Sequence, residues 1–205
     1  MYEKYLVNGN LKVLRHKGKS HGVKETRGKY SKGKSIRKRD KSVYSREEAG
    51  HWEADTVVSG QGKSKACFAT LAERKTRFYI AMKMSDRRAE TMENAIVAAL
   101  SAFPPQLVKT ITCDRGTEFA NWRRIEERLH CEVYFADPYC AWQKGTNENL
   151  NGLLREFYPK GRNLSRVAPA TLKRNLALLN ARPRKVLYFH SAQELWDFEL
   201  NSCCT

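Results

Sequence analysis

From about Gly50 onward the order of hydrophobic patterns leaves few architectures open. Three strand-like segments come in succession, and then helix and strand alternate. His51 to Ser59 (HWEADTVVS) has period two: Trp52, Ala54, Thr56 and Val58 share one face, and Glu53, Asp55 and Val57 the other. Gly60-Gln61-Gly62 is a turn, and Ala66 to Glu73 and Arg77 to Met84 read as two more strands, which makes an antiparallel meander. Met92, Ile96, Ala99, Leu100 and Phe103 fall at helical spacing over 89–103, and Pro104-Pro105 ends that helix. Lys109 to Cys113 is a short strand ending at Asp114. A helix over 117–130 turns Phe119, Trp122, Ile125 and Leu129 inward. Glu132 to Ala136 is a fifth strand, 138–146 a loop and 147–158 a third helix. Two terminal helices follow, over 168–181 and 191–200. This order predicts a mixed α/β layer fold, with a five-stranded sheet flanked by helices.

Charge divides the chain differently. Residues 1–50 hold 15 Lys and Arg against five acids, and residues 51–205 hold 23 against 17, within a total of +16. The first stretch is rich in Lys, Gly and Ser, with too little apolar surface to offset the entropy of ordering. It reads as a flexible basic arm over 1–47 that docks on DNA phosphates, with Arg37, Lys38 and Arg39 as its densest cations, or else as a solubilising linker. The rest, 48–205, has enough apolar residues for a core: they make up 41% of the chain. No run approaches the length of a membrane span, so no membrane partner is expected. The opening MYEKYLVNGNLKV lacks an export signal, which leads to the expectation of a cytoplasmic protein whose six cysteines are free thiols. No Cys or His has zinc-ligand spacing. Gly62-Lys63-Ser64 resembles the end of a phosphate-binding loop, but Val57 stands where that motif needs glycine, so no nucleotide cofactor is implied.

Three acids stand out. Asp55 lies mid-strand among Trp52, Val57 and Val58, where a carboxylate needs a partner or a metal. Asp114 sits at the C-terminal end of the fourth strand, the end at which open α/β sheets bind ligands. Glu148 opens the helix after the fifth strand. At about 100° per residue, Glu148, Asn151 and Arg155 form one stripe, and Leu150, Leu153, Leu154 and Phe157 lie opposite. Taken singly, Asp114 reads more simply as a turn residue and Glu148 as a first-turn acid favoured by the helix dipole.

Three stretches together carry a family resemblance. GHWEADTV around Asp55, TITCDRGTEFA around Asp114 and YFADPYCAWQKGTNENLNGLLREFYPKG around Glu148 resemble the transposases of the insertion sequence 30 family, as does LNARPRKVLYF from Leu179 to Phe189. The resemblance implies a retroviral-integrase-type catalytic core of ribonuclease H-like fold with a D-D-E metal triad, matched by Asp55, Asp114 and Glu148. The intervals of 58 and 33 residues suit that family. It implies a polynucleotidyl transferase that cleaves DNA and transfers strands, using two Mg²⁺ ions (Mn²⁺ substituting) roughly 3.5–4 Å apart. It implies a bacterial, nucleoid-associated protein that acts on transposon ends and target DNA as a homo-oligomer. Ala54, Arg115 and Cys140-Ala141 depart from the family pattern of Gly, Asn and Ser-Pro.

Around the triad, Arg155, Lys144 and Lys160 are expected to contact DNA phosphate. Tyr139 and Trp142 could stack on an unpaired base, or simply pack beneath their loop. Glu53 and Glu118 could face the site from outside the triad, and Asp137 reads as a turn residue. Family members carry a helix-turn-helix region at the N-terminus, and nothing before Gly50 has that pattern of two short apolar helices. A truncated, inactive DNA-binding relative that inhibits full-length copies is therefore the alternative. A nuclease that never joins ends is a further one. A general basic nucleic-acid binder leaves three spaced acids without a use.

Overall fold

His51–Val58 becomes the central strand of a six-stranded sheet in the computed structural model of the chain, which describes residues 33–138 and 140–203. The strands are β1 (Lys34–Ser35), β2 (His51–Val58), β3 (Cys67–Glu73), β4 (Tyr79–Met84), β5 (Thr110–Cys113) and β6 (Glu132–Phe135), in the order β1-β6-β5-β2-β3-β4. β2, β3 and β4 form the antiparallel meander, and β2, β5, β6 and β1 pair in parallel. The helices are α1 (Ala89–Leu100), α2 (Trp122–Leu129), α3 (Gly145–Phe157), α4 (Pro169–Ala181) and α5 (Ala192–Ser202).

The sheet buries both faces. On one, Trp52, Ala54, Leu71, Ile111 and Phe135 meet Met92, Ile96 and Leu100 of α1 and Trp122, Ile125 and Leu129 of α2. Trp196 of α5 joins that face edge-on to Trp52, with ring centroids 5.3 Å apart, and stacks on Phe78 at 5.2 Å. On the other face, Val57, Phe68, Tyr79 and Ala81 meet Leu150 and Leu154 of α3 and Leu172 and Leu179 of α4. Each fully buried Leu, Ile or Phe contributes about 1.5–3 kcal/mol. The five described cysteines are free, and burial pushes the Cys67 thiol up to about 11. No helix among the described residues is long and apolar enough to cross a membrane.

The sheet has six strands where five were expected, and the extra strand comes from the stretch read as an arm. β1 pairs with β6, and the chain after it buries Ile36, Arg39 and Val43. Two strand residues and two isolated apolar anchors are too few to show a period, which is why this segment read as solvated. The arm boundary at 47 therefore does not hold for Lys34–Tyr44, and residues 1–32 lie outside the described residues. The helix expected over 117–130 is a 3-10 turn (Thr117–Phe119) followed by α2.

Gly50 fixes where β2 begins. Its φ is +100°, and a Cβ would lie 2.9 Å from the Gln106 carbonyl oxygen. Its own carbonyl accepts from the amides of Lys109 and Thr110, and its amide donates to Glu73. That knot sets the register His51↔Thr110, Trp52↔Ile111, Glu53↔Thr112 between β2 and β5.

Candidate active site

Continued by two residues, the parallel register carries Asp55 and Asp114 to neighbouring positions at the C-terminal side of the sheet. Asp55 accepts from the Thr56 amide at 2.9 Å and from Asn151 Nδ2 at 3.0 Å. Asp114 Oδ1 accepts from the Gly116 amide at 2.9 Å, and a Cβ on Gly116 would lie 2.9 Å from that oxygen, so the chain turns tightly around this carboxylate. Between the two carboxylates lies the ammonium of Lys144, 3.5 Å from Asp55 Oδ1, 3.6 Å from Asp114 Oδ2 and 3.3 Å from the Ala54 carbonyl oxygen. Burial pulls the Lys144 pKa down, but the charges of Asp55 and Asp114 outweigh it and hold it above the ordinary lysine value.

Helix α3 is held against β2 by a buried polar knot. Asn147, fully buried, donates from Nδ2 to the carbonyls of Glu53 at 2.6 Å and Thr70 at 3.3 Å, and accepts from Thr70 Oγ1 at 3.2 Å. The Asn147 amide, free in the first turn of the helix, donates to Glu53 Oε2 at 2.8 Å. Arg74 bonds the other Glu53 oxygen, so this buried carboxylate is paired and acts as a helix cap supplied by a strand. Arg77 Nη1 reaches Thr146 Oγ1 at 2.8 Å, and burial pulls the Arg77 pKa down to about 10. At the far end of α3, Arg155 Nη2 donates to the Val58 carbonyl at 3.0 Å.

These contacts lay one stripe of the helix along β2. Lys144, just before α3, and Asn151 within it both touch Asp55. Glu148 stands one turn before Asn151 on the same face and is exposed. Asn151 is itself fixed by the Tyr79 hydroxyl, which donates to its Oδ1 at 2.6 Å. Glu118 lies beside Asp114: a Cβ on Gly116 would meet both carboxyl groups within 3 Å. Arg87 and Thr56 Oγ1 already bond the Glu118 carboxylate.

The structure thus brings Asp55 and Asp114 together through Lys144, and Glu148 shares the helix face of Asn151, which bonds Asp55. It does not close the three into a ready cluster: among the described residues no three His, Cys, Asp or Glu side chains are close enough to hold a metal ion. The donor set still fits a hard divalent cation. Two carboxylates already share one cationic group, and their side chains are 29% and 49% exposed, which leaves room for water ligands.

Residues 45–141 match the integrase core domain family, a span that contains Asp55 and Asp114. The chain is 37% identical over 165 residues to a probable transposase for the insertion-like sequence element IS1161 of Streptococcus salivarius, covering 80% of this chain and 46% of that protein. It is 36% identical over 184 residues to transposase InsI for the insertion sequence element IS30C of Escherichia coli (strain K12), covering 89% of this chain and 47% of that one. Over most of its length the chain is similar to transposases of the insertion sequence 30 family. It spans about half the length of the curated relatives it matches. The HTLV-2 integrase catalytic core domain, solved in complex with magnesium, shares the ribonuclease H-like fold at 14% identity, with a TM-score of 0.54 over 72% of this chain and 95% of that one.

The expected DNA contacts separate into two groups. Lys144 is not a surface cation, because Asp55 and Asp114 hold its ammonium inside the site. Arg155 is spent on the Val58 and Tyr158 carbonyls, which ties α3 to the end of β2. Arg39 is 3% exposed: Thr112 Oγ1 accepts from it at 2.7 Å and the Tyr44 ring covers it, so no phosphate can reach it. Lys38 and Lys160 are exposed, and Arg37 is exposed while pairing with Asp137 at 3.0 Å. Trp142 is 69% exposed and does not pack beneath its loop. Tyr139 lies outside the described residues. Asn147, Arg74 and Arg77 escaped the sequence reading. Asn147 had left a signal, since it falls on the same helical stripe as Leu150 and Leu154, where a polar side chain must be buried and bonded.

Proposed function

We propose that this core is the catalytic part of a transposase that cleaves DNA at the ends of an insertion sequence and joins the freed 3′ ends to target DNA. The observation that carries the reading is the Asp55–Asp114 pair, from β2 and from the residue after β5, bridged by Lys144 and joined through Asn151 to the α3 face that also carries Glu148. Asp55 and Asp114 from the sheet and Glu148 from the helix are the residues that would hold Mg²⁺, two ions per site, with Mn²⁺ able to substitute. Bound there, such ions neutralise charge on the attacking and leaving oxygens of a phosphodiester. The chain's own part is positioning. Thr56 and Asn151 orient the Asp55 carboxylate, the turn at Gly116 orients that of Asp114, and the Glu53–Asn147 knot fixes the helix that presents Glu148. No side-chain nucleophile is required, since water and then a DNA 3′-hydroxyl attack in turn. Lys38, Arg37 and Lys160 are the exposed cations proposed to meet phosphate, Trp142 is the exposed ring proposed to stack on an unpaired base, and the core works as an oligomer on DNA.

The test is nicking and strand transfer by the purified protein on DNA carrying the element's ends, with Mg²⁺ or Mn²⁺. Asp114→Asn and Glu148→Gln are expected to lower both reactions by at least about a hundredfold while leaving DNA binding in place, in line with the loss of one essential electrostatic group. Nicking that persists in Asp114→Asn refutes the assignment. Hydrolysis without joining of a pre-cut end would reduce the function to that of a nuclease.

A further inference from the structure

Lys144 sits where a ligand-seeking cation would sit. Its ammonium lies almost equidistant from one oxygen of Asp55 and one of Asp114, and its third neighbour is the Ala54 carbonyl oxygen. All three are hard oxygen donors of the kind that Mg²⁺ and Mn²⁺ take. The side chain is buried and the two carboxylates are partly open to solvent, so the lysine reaches the pair from inside the protein and leaves the outer side accessible. Its stem springs from the 3-10 turn Ala141–Lys144, directly before α3. Four methylene groups let the ammonium move without moving that helix.

Two consequences follow from charge. Without Lys144, two carboxylates on adjacent strands repel each other across a short gap. With Lys144 the pair is held together, and the charge offered to an incoming divalent cation is halved. We infer that Lys144 is a built-in counter-ion that preforms the Asp55–Asp114 pair and competes with divalent cations for it, so that metal loading requires its ammonium to leave. The inference rests on the proposed metal-dependent function. Lys144 acts through the aspartates, and so is a positioning residue.

The experiment measures Mn²⁺ binding to the full chain without DNA, by the electron paramagnetic resonance signal of free Mn²⁺ and by titration calorimetry. The variants are Lys144→Met, which keeps the stem and removes the charge, Lys144→Arg, which keeps the charge, and Asp114→Asn. Lys144→Met is expected to bind Mn²⁺ about tenfold tighter or more, since a cation within 4 Å of both ligand carboxylates is removed. Its melting temperature is expected to fall in EDTA and to rise with Mn²⁺ by more than that of the parent protein, while Lys144→Arg stays near the parent in both measurements. Should Lys144→Met misfold, Lys144→Gln gives the same comparison with a polar stem. Equal or weaker Mn²⁺ binding by the folded neutral variants, beside measurable binding by the parent, overturns the counter-ion role alone. Absence of Mn²⁺ binding in all variants, with Asp114→Asn no different from the parent, overturns the metal-dependent reading together with it.

Discussion

Asn147 and His51 show how far single buried polar groups decide the behaviour of this core. Asn147 exchanges hydrogen bonds with β2 and β3 through both side-chain atoms, so its truncation takes a donor from the buried Glu53 and Thr70 carbonyls and frees the start of α3. Asn147→Ala is expected to cost about 2–3 kcal/mol, the penalty for buried partners left unmade, measured by urea unfolding at unchanged m-value. It should also weaken Mn²⁺ binding, since Glu148 rides on that helix; unaltered affinity would mean that the knot does not position the acid. The imidazole of His51 is buried, with Nδ1 2.9 Å from Thr110 Oγ1 and Nε2 3.2 Å from Glu48. Burial lowers its pKa, Glu48 opposes this, and Lys109 and Arg39 add to the lowering. The unfolded chain therefore takes up this proton first as pH falls. The stability contributed by the neutral ring is complete above about pH 6.5 and is lost as the pH drops from there toward the depressed folded value. Unfolding free energies measured across that window should fall less steeply in His51→Gln than in the parent. At this scale the sequence was informative wherever polarity conflicted with position. A carboxylate at residue 55 of an apolar strand demands a partner. It does not say that the partner is Lys144, 89 residues later, because only the fold joins them.

Elements were legible in proportion to their length. The meander, the alternating half and all five helices stand in the hydrophobic period, because four residues or more sample a strand period, and eight to thirteen a helix period, more than once. β1 has two residues and cannot show one, so its stretch was read from its charge alone. The loop between α4 and α5 illustrates a different limit. Its ends are closed by the Pro183↔Ser191 bridge and by hydrogen bonds between Arg184 and His190 and between Phe189 and Arg184. Within it Tyr188 adopts φ +53° while 89% exposed. A bulky residue in the left-handed region is strained, and exposure gives nothing back in packing. Tyr188→Gly is therefore expected to stabilise the core by about 0.5–1 kcal/mol, after the greater freedom of glycine in the unfolded chain is discounted. A rise of a few degrees in melting temperature would bear this out; a fall would mean that the ring makes a contact worth more than the strain.

For the whole molecule, net charge is the property most directly readable from sequence, and structure redistributes it. Of the +16, residues 1–32 carry nine Lys and Arg against two acids. Farther along, Arg39, Arg74, Arg77 and Lys144 are buried instead of facing solvent: Arg74 pairs with Glu53 and Lys144 with Asp55 and Asp114, while Arg39 and Arg77 are crowded by neighbouring arginines. Cations counted in a sequence therefore overstate the number that can meet phosphate, and the shortfall here falls on the folded core. Binding to duplex DNA of arbitrary sequence should accordingly depend on salt mainly through the exposed lysines and arginines. Each phosphate contact adds about 0.9 to the slope of log affinity against log salt. Replacing Arg37, Lys38 and Lys160 together with Gln in the full chain is expected to flatten that slope by about 2–3 and to weaken binding uniformly across sequences, whereas in the absence of divalent metal Lys144→Met should leave the slope unchanged because Asp55 and Asp114 hold its ammonium. Filter-binding titrations over a range of salt concentrations measure both. A slope that falls with Lys144→Met would place that ammonium on DNA and not between the two aspartates.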